Sequence, residues 1–151
     1  MVDQDLEFDR SLLGQAFPAG SHELTEEMVR EYALSVGETD PIHTDAAEAK
    51  RQGYRGIVAP PTIVNLLIRS FGRPKVNLSY TGLGAHAGQS LETLAPICAG
   101  DTLQADTLLR EVYTKTGRTG TMAFVVWETG FTNQDGVQVA RAQESFMTRK
   151  E

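Results

Sequence analysis

Pro61-Thr62-Ile63-Val64-Asn65-Leu66-Leu67-Ile68-Arg69-Ser70-Phe71 is the stretch whose reading decides the fold. Pro60 and Pro61 can begin a helix, because the first helical N–H groups have no partner in any case. Ile63, Val64, Leu66, Leu67, Ile68 and Phe71 then cover almost the whole circumference. A helix that is apolar nearly all round is buried on most sides. Gly72 and Pro74 end it. In a chain of 151 residues something must wrap around such a helix, and the later half of the chain has strand character. The runs cover roughly 85–94, 102–113, 121–132 and 137–148. Lys115–Gly120 and Asn133–Gly136 are turn-rich, so the strands on either side of each should form antiparallel hairpins. Met122, Phe124 and Val126 alternate with Ala123, Val125 and Trp127. Both faces of that strand are apolar, which predicts a place in the middle of the sheet with cover on both sides. One buried helix and a long antiparallel sheet make an α+β domain.

Working outward, the first half reads as helices and loops. Thr25 is a good N-cap, and Glu26 and Glu27 favour the positive end of a helix. Val29, Tyr32, Ala33 and Val36 lie on one face of it, and Gly37 suits the C′ position. A short helix is expected over Ala46–Gln52, capped by Thr44 or Asp45 and stopped by Gly53. Residues 1–20 read as an irregular segment or a first strand, and the whole of 1–151 as one domain.

The composition excludes several classes of function. The net charge is −6, so there is no basic excess to hold a phosphate backbone and no nucleic-acid partner is expected. The apolar stretches are too short to span a membrane. One cysteine, Cys98, permits no intramolecular disulfide. With a charged start that lacks a signal-peptide pattern, this points to a reducing, cytoplasmic setting. His22, His43 and His86 are scattered and lack metal-ligand spacing, so no metal is expected. Gly82, Gly84 and Gly88 miss the dinucleotide spacing by one residue and precede a strand run.

Three stretches carry a family resemblance. They are Tyr32-Ala33-Leu34-Ser35-Val36-Gly37-Glu38-Thr39-Asp40-Pro41-Ile42-His43, then Gly53-Tyr54-Arg55-Gly56-Ile57-Val58-Ala59-Pro60-Pro61-Thr62, then Ala95-Pro96-Ile97-Cys98-Ala99-Gly100-Asp101-Thr102-Leu103. In this order the chain resembles the MaoC-like dehydratases and (R)-specific enoyl-CoA hydratases. Its Ala-Pro-Pro-Thr form is typical of their FAS1-like branch. The resemblance implies a hot-dog fold, a long antiparallel sheet wrapped around a central helix. It implies a coenzyme A or acyl-carrier thioester as substrate and no cofactor. It implies a homodimer, or a heteromer with a second, catalytic hot-dog subunit.

The same resemblance places the site residues. The family motif Asp-x-Asn-Pro-x-His falls on Glu38, Asp40 and His43, so its Asp is a Glu here and its Asn an Asp. Hydration of an α,β-unsaturated thioester needs a base for water, a proton for C2 and a donor for the enolate oxygen. An imidazole suits the first task, and a carboxylate can orient the same water. Glutamate reaches one methylene farther than aspartate. Asp40 is therefore either the working carboxylate or the residue that holds the loop. Many hydratases carry a His-Gly pair before the helix, and a backbone N–H there polarises the carbonyl. Here the place reads Ala59-Pro60-Pro61, and proline has no N–H. The donor must then move to Thr62 or its neighbour. Pro61, Thr62 and Asn65 are the expected substrate contacts, and Asn65, the one amide on the apolar helix, is read either as a contact to the acyl chain or as a satisfied buried polar group. Arg51, Arg55, Arg69 and Arg73 are read either as phosphate contacts or as a solvated face. A binding subunit and a hot-dog thioesterase are the competing functions.

Overall fold

Thr25 starts the first helix as its hydroxyl accepts from the backbone N–H of Met28 at 3.2 Å. The computed structural model describes residues 4–151. Strand β1 (Phe17–Glu23) runs into helix α1 (Glu26–Ser35), and Val29 and Ala33 are the buried side of that helix. Val36, expected on the same face, caps the C-terminus and is exposed. Gly37 follows at φ +78°, the left-handed geometry that a C′ glycine supplies. A 3-10 turn (Pro41–His43) leads to helix α2 (Ala46–Arg51), where Asp45 accepts from Ala47 and Glu48 as the cap. After α2 come a 3-10 turn (Pro61–Ile63), helix α3 (Val64–Ile68) and strands β2 (Gly84–Thr93), β3 (Thr102–Gly117), β4 (Gly120–Thr132) and β5 (Gln138–Arg149).

The sheet order is β1-β3-β4-β5-β2, and every pairing is antiparallel. β4 is central, as its two apolar faces predict. Cover on both sides is only half right. Ala123, Val125, Trp127 and Phe131 are buried on one face; on the other Val126 is buried, and Met122 and Phe124 are only half-buried. There the shielding comes from across the sheet, where Tyr113 stacks on Phe124 with ring centroids 5.0 Å apart.

The sheet curls over α3, and Ile63, Val64, Leu67 and Ile68 pack with Leu103, Ala105, Phe131 and Val139 in one core. Gly20 on β1 leaves room for this packing. A Cβ there would lie 2.5 Å from the Phe71 ring, which tilts against Phe131. A second apolar cluster fills the other end of the same face. It joins Leu109, Val112, Val125 and Trp127 to Leu6, Tyr80, Val76 and Leu78. Backbone bonds zip its cover together, from Asp9 to Val76 and from Ser79 to Glu7. Residues 4–16 are thus irregular apart from a 3-10 turn at Arg10–Leu12, and a strand begins at Phe17; residues 1–3 of the expected segment lie outside the described residues.

The expected helix over Pro61–Phe71 is shorter than its apolar pattern. One five-stranded sheet covers one side of a helix, so Leu66 stays 46% exposed. The α+β hot-dog arrangement is otherwise as expected. No helix among the described residues is long and apolar enough to cross a membrane.

Burial predicts how unequal two like substitutions will be. Leu67→Ala removes a side chain that is 2% exposed and should cost about 2–5 kcal/mol. Leu34→Ala on the outer side of α1, where the leucine is 62% exposed, should change stability by less than about 1 kcal/mol. Urea unfolding of both variants measures the contrast.

Candidate functional site

The loop after α1 is built by its caps. The Glu38 N–H returns to the Ala33 carbonyl at 3.0 Å, closing the helix. Asp40 then caps the next turn, its Oδ1 accepting from the Ile42 N–H at 3.1 Å. Pro41 occupies the first position of that turn, and His43 ends it. The two carboxylates therefore have different surroundings. Asp40 is spent on the backbone. Glu38 turns toward the imidazole, its Oε2 3.7 Å from His43 Nε2.

The other imidazole nitrogen settles the tautomer. His43 Nδ1 lies 2.6 Å from the Val58 carbonyl oxygen. A carbonyl only accepts, so Nδ1 carries the proton and Nε2 of the neutral ring keeps its lone pair. The His43 side chain is 12% exposed and Glu38 41%, so the pair sits at a mouth with Glu38 on the rim. At 3.7 Å the two groups are too far apart for a good hydrogen bond. A single water lying beside the pair can reach both groups.

His43 belongs to a mostly apolar cavity of about 370 Å³ lined also by Tyr54, Val58, Pro61, Leu94 and Ile97, among others. One wall is the 53–60 loop. The other is the loop between β2 and β3. Ala59 donates to Ile97 at 2.7 Å and Ala99 to Ile57 at 2.9 Å, so the walls are tied by an antiparallel bridge at Val58 and Cys98.

Of the expected contacts, Pro61 lines the cavity. Thr62 stands beside it, its hydroxyl 2.6 Å from that of Tyr32 on α1. Asn65 points elsewhere, its side-chain oxygen accepting from Gln89 on β2 at 2.8 Å. The arginines are mostly engaged. Arg51 binds Glu48 and, with Gln52, holds that carboxyl down to about 2. Arg73 pairs with Glu144 and lies over the Trp127 and Phe146 rings. Arg55 reaches Asp101, which is 1% exposed. His86 sits 3.5 Å from Glu144 at an exposed strand edge, and His22 is half-buried in β1. The Val58 carbonyl, Tyr54 and Asp101 were not singled out by sequence. The place of Tyr54 two residues before the Gly-Ile-Val turn and the Gly100-Asp101 pair were the available signals for the two side chains, and the carbonyl had none.

A curled antiparallel sheet over a short helix, with this His and carboxylate loop at the cavity mouth, defines a hot-dog protein of the MaoC-like dehydratase superfamily. Residues 11–142 match the FAS1-like, dehydratase domain region, and the chain belongs to that family. It is 31% identical over 115 residues to a UPF0336 protein of Streptomyces coelicolor, covering 72% of this chain and 76% of that protein. Among solved structures it resembles a chain of the C-terminally truncated HadBC (3R-hydroxyacyl-ACP dehydratase) complex of Mycobacterium tuberculosis. The TM-score there is 0.71, with 26% identity, 90% of this chain and 96% of that one. It also resembles a MaoC-like dehydratase at TM-score 0.78 and 26% identity, covering 93% of this chain and 43% of that one.

Two consequences can be measured. Asp40→Asn keeps a capping oxygen and should leave the melting temperature close to wild type, whereas Asp40→Ala should cost about 0.5–2 kcal/mol. Cys98 is 2% exposed, and burial, followed by the Asp101 charge, pushes its thiol above the ordinary value. A raised thiol pKa means less thiolate at any given pH. Native protein at about pH 8, near the ordinary thiol pKa, should therefore react slowly with a disulfide reagent such as DTNB, and rapidly once unfolded in guanidinium.

Proposed function

We propose that the chain hydrates a trans-2-enoyl thioester to the (R)-3-hydroxyacyl form and catalyses the reverse dehydration. The reading is carried by the His43 imidazole, whose Nδ1 is fixed on the Val58 carbonyl while Nε2 faces Glu38 across a gap of 3.7 Å at the cavity mouth. A water held there gives a proton to Nε2 as its oxygen bonds to C3. The C2=C3 electron pair moves toward the thioester as an enolate, and the imidazolium returns the proton to C2. Glu38 orients the water and favours the imidazolium that forms. The first turn of a helix leaves its N–H groups without intrahelical acceptors. We assign the Thr62 N–H, beside Pro61 of the cavity, as donor to the enolate oxygen. Coenzyme A or an acyl carrier protein bears the thioester, and no cofactor takes part.

The proposed assembly is a homodimer. β2 is an edge strand whose residues are mostly exposed, and Leu66, Leu83 and Leu94 lie open. A strand with one open edge and apolar neighbours is a surface that calls for cover. β2 ends at Thr93 and Leu94 follows it, and both line the cavity, so a partner on this edge would also wall the site. Light scattering at micromolar concentration should give twice the monomer mass, and a monomer would count against the arrangement.

A second reading has its own support. Pro60 and Pro61 remove two N–H groups where the family's donor lies, which favours an acyl-binding subunit that pairs with a catalytic hot-dog subunit. The HadBC dehydratase is itself a complex. The thioesterase alternative draws no support from the His43 loop.

One assay separates these readings: the purified chain with crotonyl-CoA, followed by loss of the conjugated thioester absorbance. Turnover by the chain alone supports the hydratase. His43→Ala should abolish it with the fold intact, and Glu38→Gln should lower kcat by about two to four powers of ten. Asp40→Asn should be mild. Inactivity with every enoyl thioester tried, alone but not with a second subunit, would install the binding-subunit reading instead.

A further inference from the structure

We infer that Asp101 is a positioning residue that holds the Val58 carbonyl where it fixes the His43 tautomer, with Arg55 as its partner in this task. The inference rests on the proposed role of His43 as the base and extends it to a side chain that touches neither substrate nor imidazole.

Asp101 lies just before β3 and is 1% exposed, a position where a carboxylate is costly unless it is fully bonded. It is fully bonded. Arg55 Nη2 donates to Oδ1 at 2.7 Å and to Oδ2 at 2.8 Å. The Gln134 side-chain amide donates to Oδ1 at 3.0 Å. The Cys98 backbone N–H donates to Oδ2 at 2.9 Å. One carboxylate thus gathers three segments: the 53–60 loop, the 95–100 loop and the hairpin between β4 and β5.

Two of these segments form the walls of the cavity, and both reach Val58. Cys98 is bridged to Val58, with Ile57 and Ala59 bonded to Ala99 and Ile97 on either side. Arg55 precedes Val58 by three residues in the same loop. The Val58 N–H donates to the Ile42 carbonyl at 2.8 Å, and its own carbonyl accepts from His43 Nδ1 at 2.6 Å. Asp101 therefore anchors both strands of the bridge whose Val58 selects the imidazole nitrogen that keeps its lone pair. Its main chain adds to the anchor, since the Leu24 N–H donates to the Asp101 carbonyl at 2.8 Å.

The chemistry of the site makes the test sharp. Asparagine has nearly the shape of aspartate, but one of its oxygens is replaced by an NH₂ donor. Asp101→Asn puts that donor against Arg55 and either Gln134 or Cys98, all of them donors. The Arg55 side chain is half exposed, so in Arg55→Gln water can enter where the guanidinium lay. The melting temperature is read beside the tautomer, because a buried carboxylate loses its ion-pair partner. Arg55→Lys keeps the charge and one donor and serves as the conservative rescue.

Protein labelled with ¹⁵N-histidine reports the tautomer directly by NMR and needs no substrate. In wild type the neutral form of His43 should be protonated on Nδ1 alone. Asp101→Asn and Arg55→Gln should give mixed tautomers, and Arg55→Lys should restore the single form. Where turnover is measurable, kcat should fall by about tenfold to a hundredfold in the first two variants with KM little changed, the size expected of a small misplacement. A single Nδ1–H tautomer retained in both Asp101→Asn and Arg55→Gln overturns the inference. If Asp101→Asn does not fold, Arg55→Gln alone decides it. A tautomer that shifts in a protein inactive on every enoyl thioester supports the positioning role, and the reading of His43 as the base falls separately.

Discussion

The bridge between Val58 and Cys98 is the constraint on which the site depends. Neither residue belongs to a long strand, yet their backbones are bonded on both sides of the pair. Without it the 53–60 loop would be a free connection between α2 and α3. With it the loop becomes a wall of the cavity and presents one carbonyl to an imidazole. The free energy of each bond is small, about 0.5–1.5 kcal/mol. Their effect comes from being joined to the buried Asp101 cluster and, through Ala49, Ile57 and Ala59, to the helix core.

The sheet was largely legible because strands announce themselves through alternation and turn residues. The β3 to β5 run has both, and its hairpins close at Arg118-Thr119 and near Asn133–Gly136 as the glycines and polar residues suggest. β1 was legible only as an alternative, since Phe17–Glu23 carries a proline, a glycine and little apolar alternation. α3 was overread for a different reason. An apolar circumference states that a helix wants cover. It does not state how much one chain provides, and Leu66 is the uncovered remainder.

The loop that carries His43 shows where spacing stops being informative. Glu38 and Asp40 are two residues apart and equally acidic, and sequence left both open as the carboxylate beside His43. Geometry separates them because an aspartate before a proline makes a good cap and a glutamate after a C′ glycine is free to swing. The Val58 carbonyl could not have been found, since backbone groups leave no trace in residue type. Asp101 and Arg55 stand 46 residues apart, and only the folded chain makes them neighbours.

The order of strands in the sheet also bears on how the chain reaches its native form. β3, β4 and β5 are consecutive and joined by short turns, so they can pair with little loop-closure entropy. β1 and β2 both come from earlier in the chain and add at opposite margins, β1 against β3 and β2 against β5. The three-stranded meander is thus the natural nucleus, and the N-terminal half is folded onto it. The cavity lies along that seam between first-formed sheet and later-docked helices and loops. Newly made protein would therefore acquire its secondary structure before its cavity. A ribosome must release the chain through β5 before β2, made earlier, has its place in the sheet.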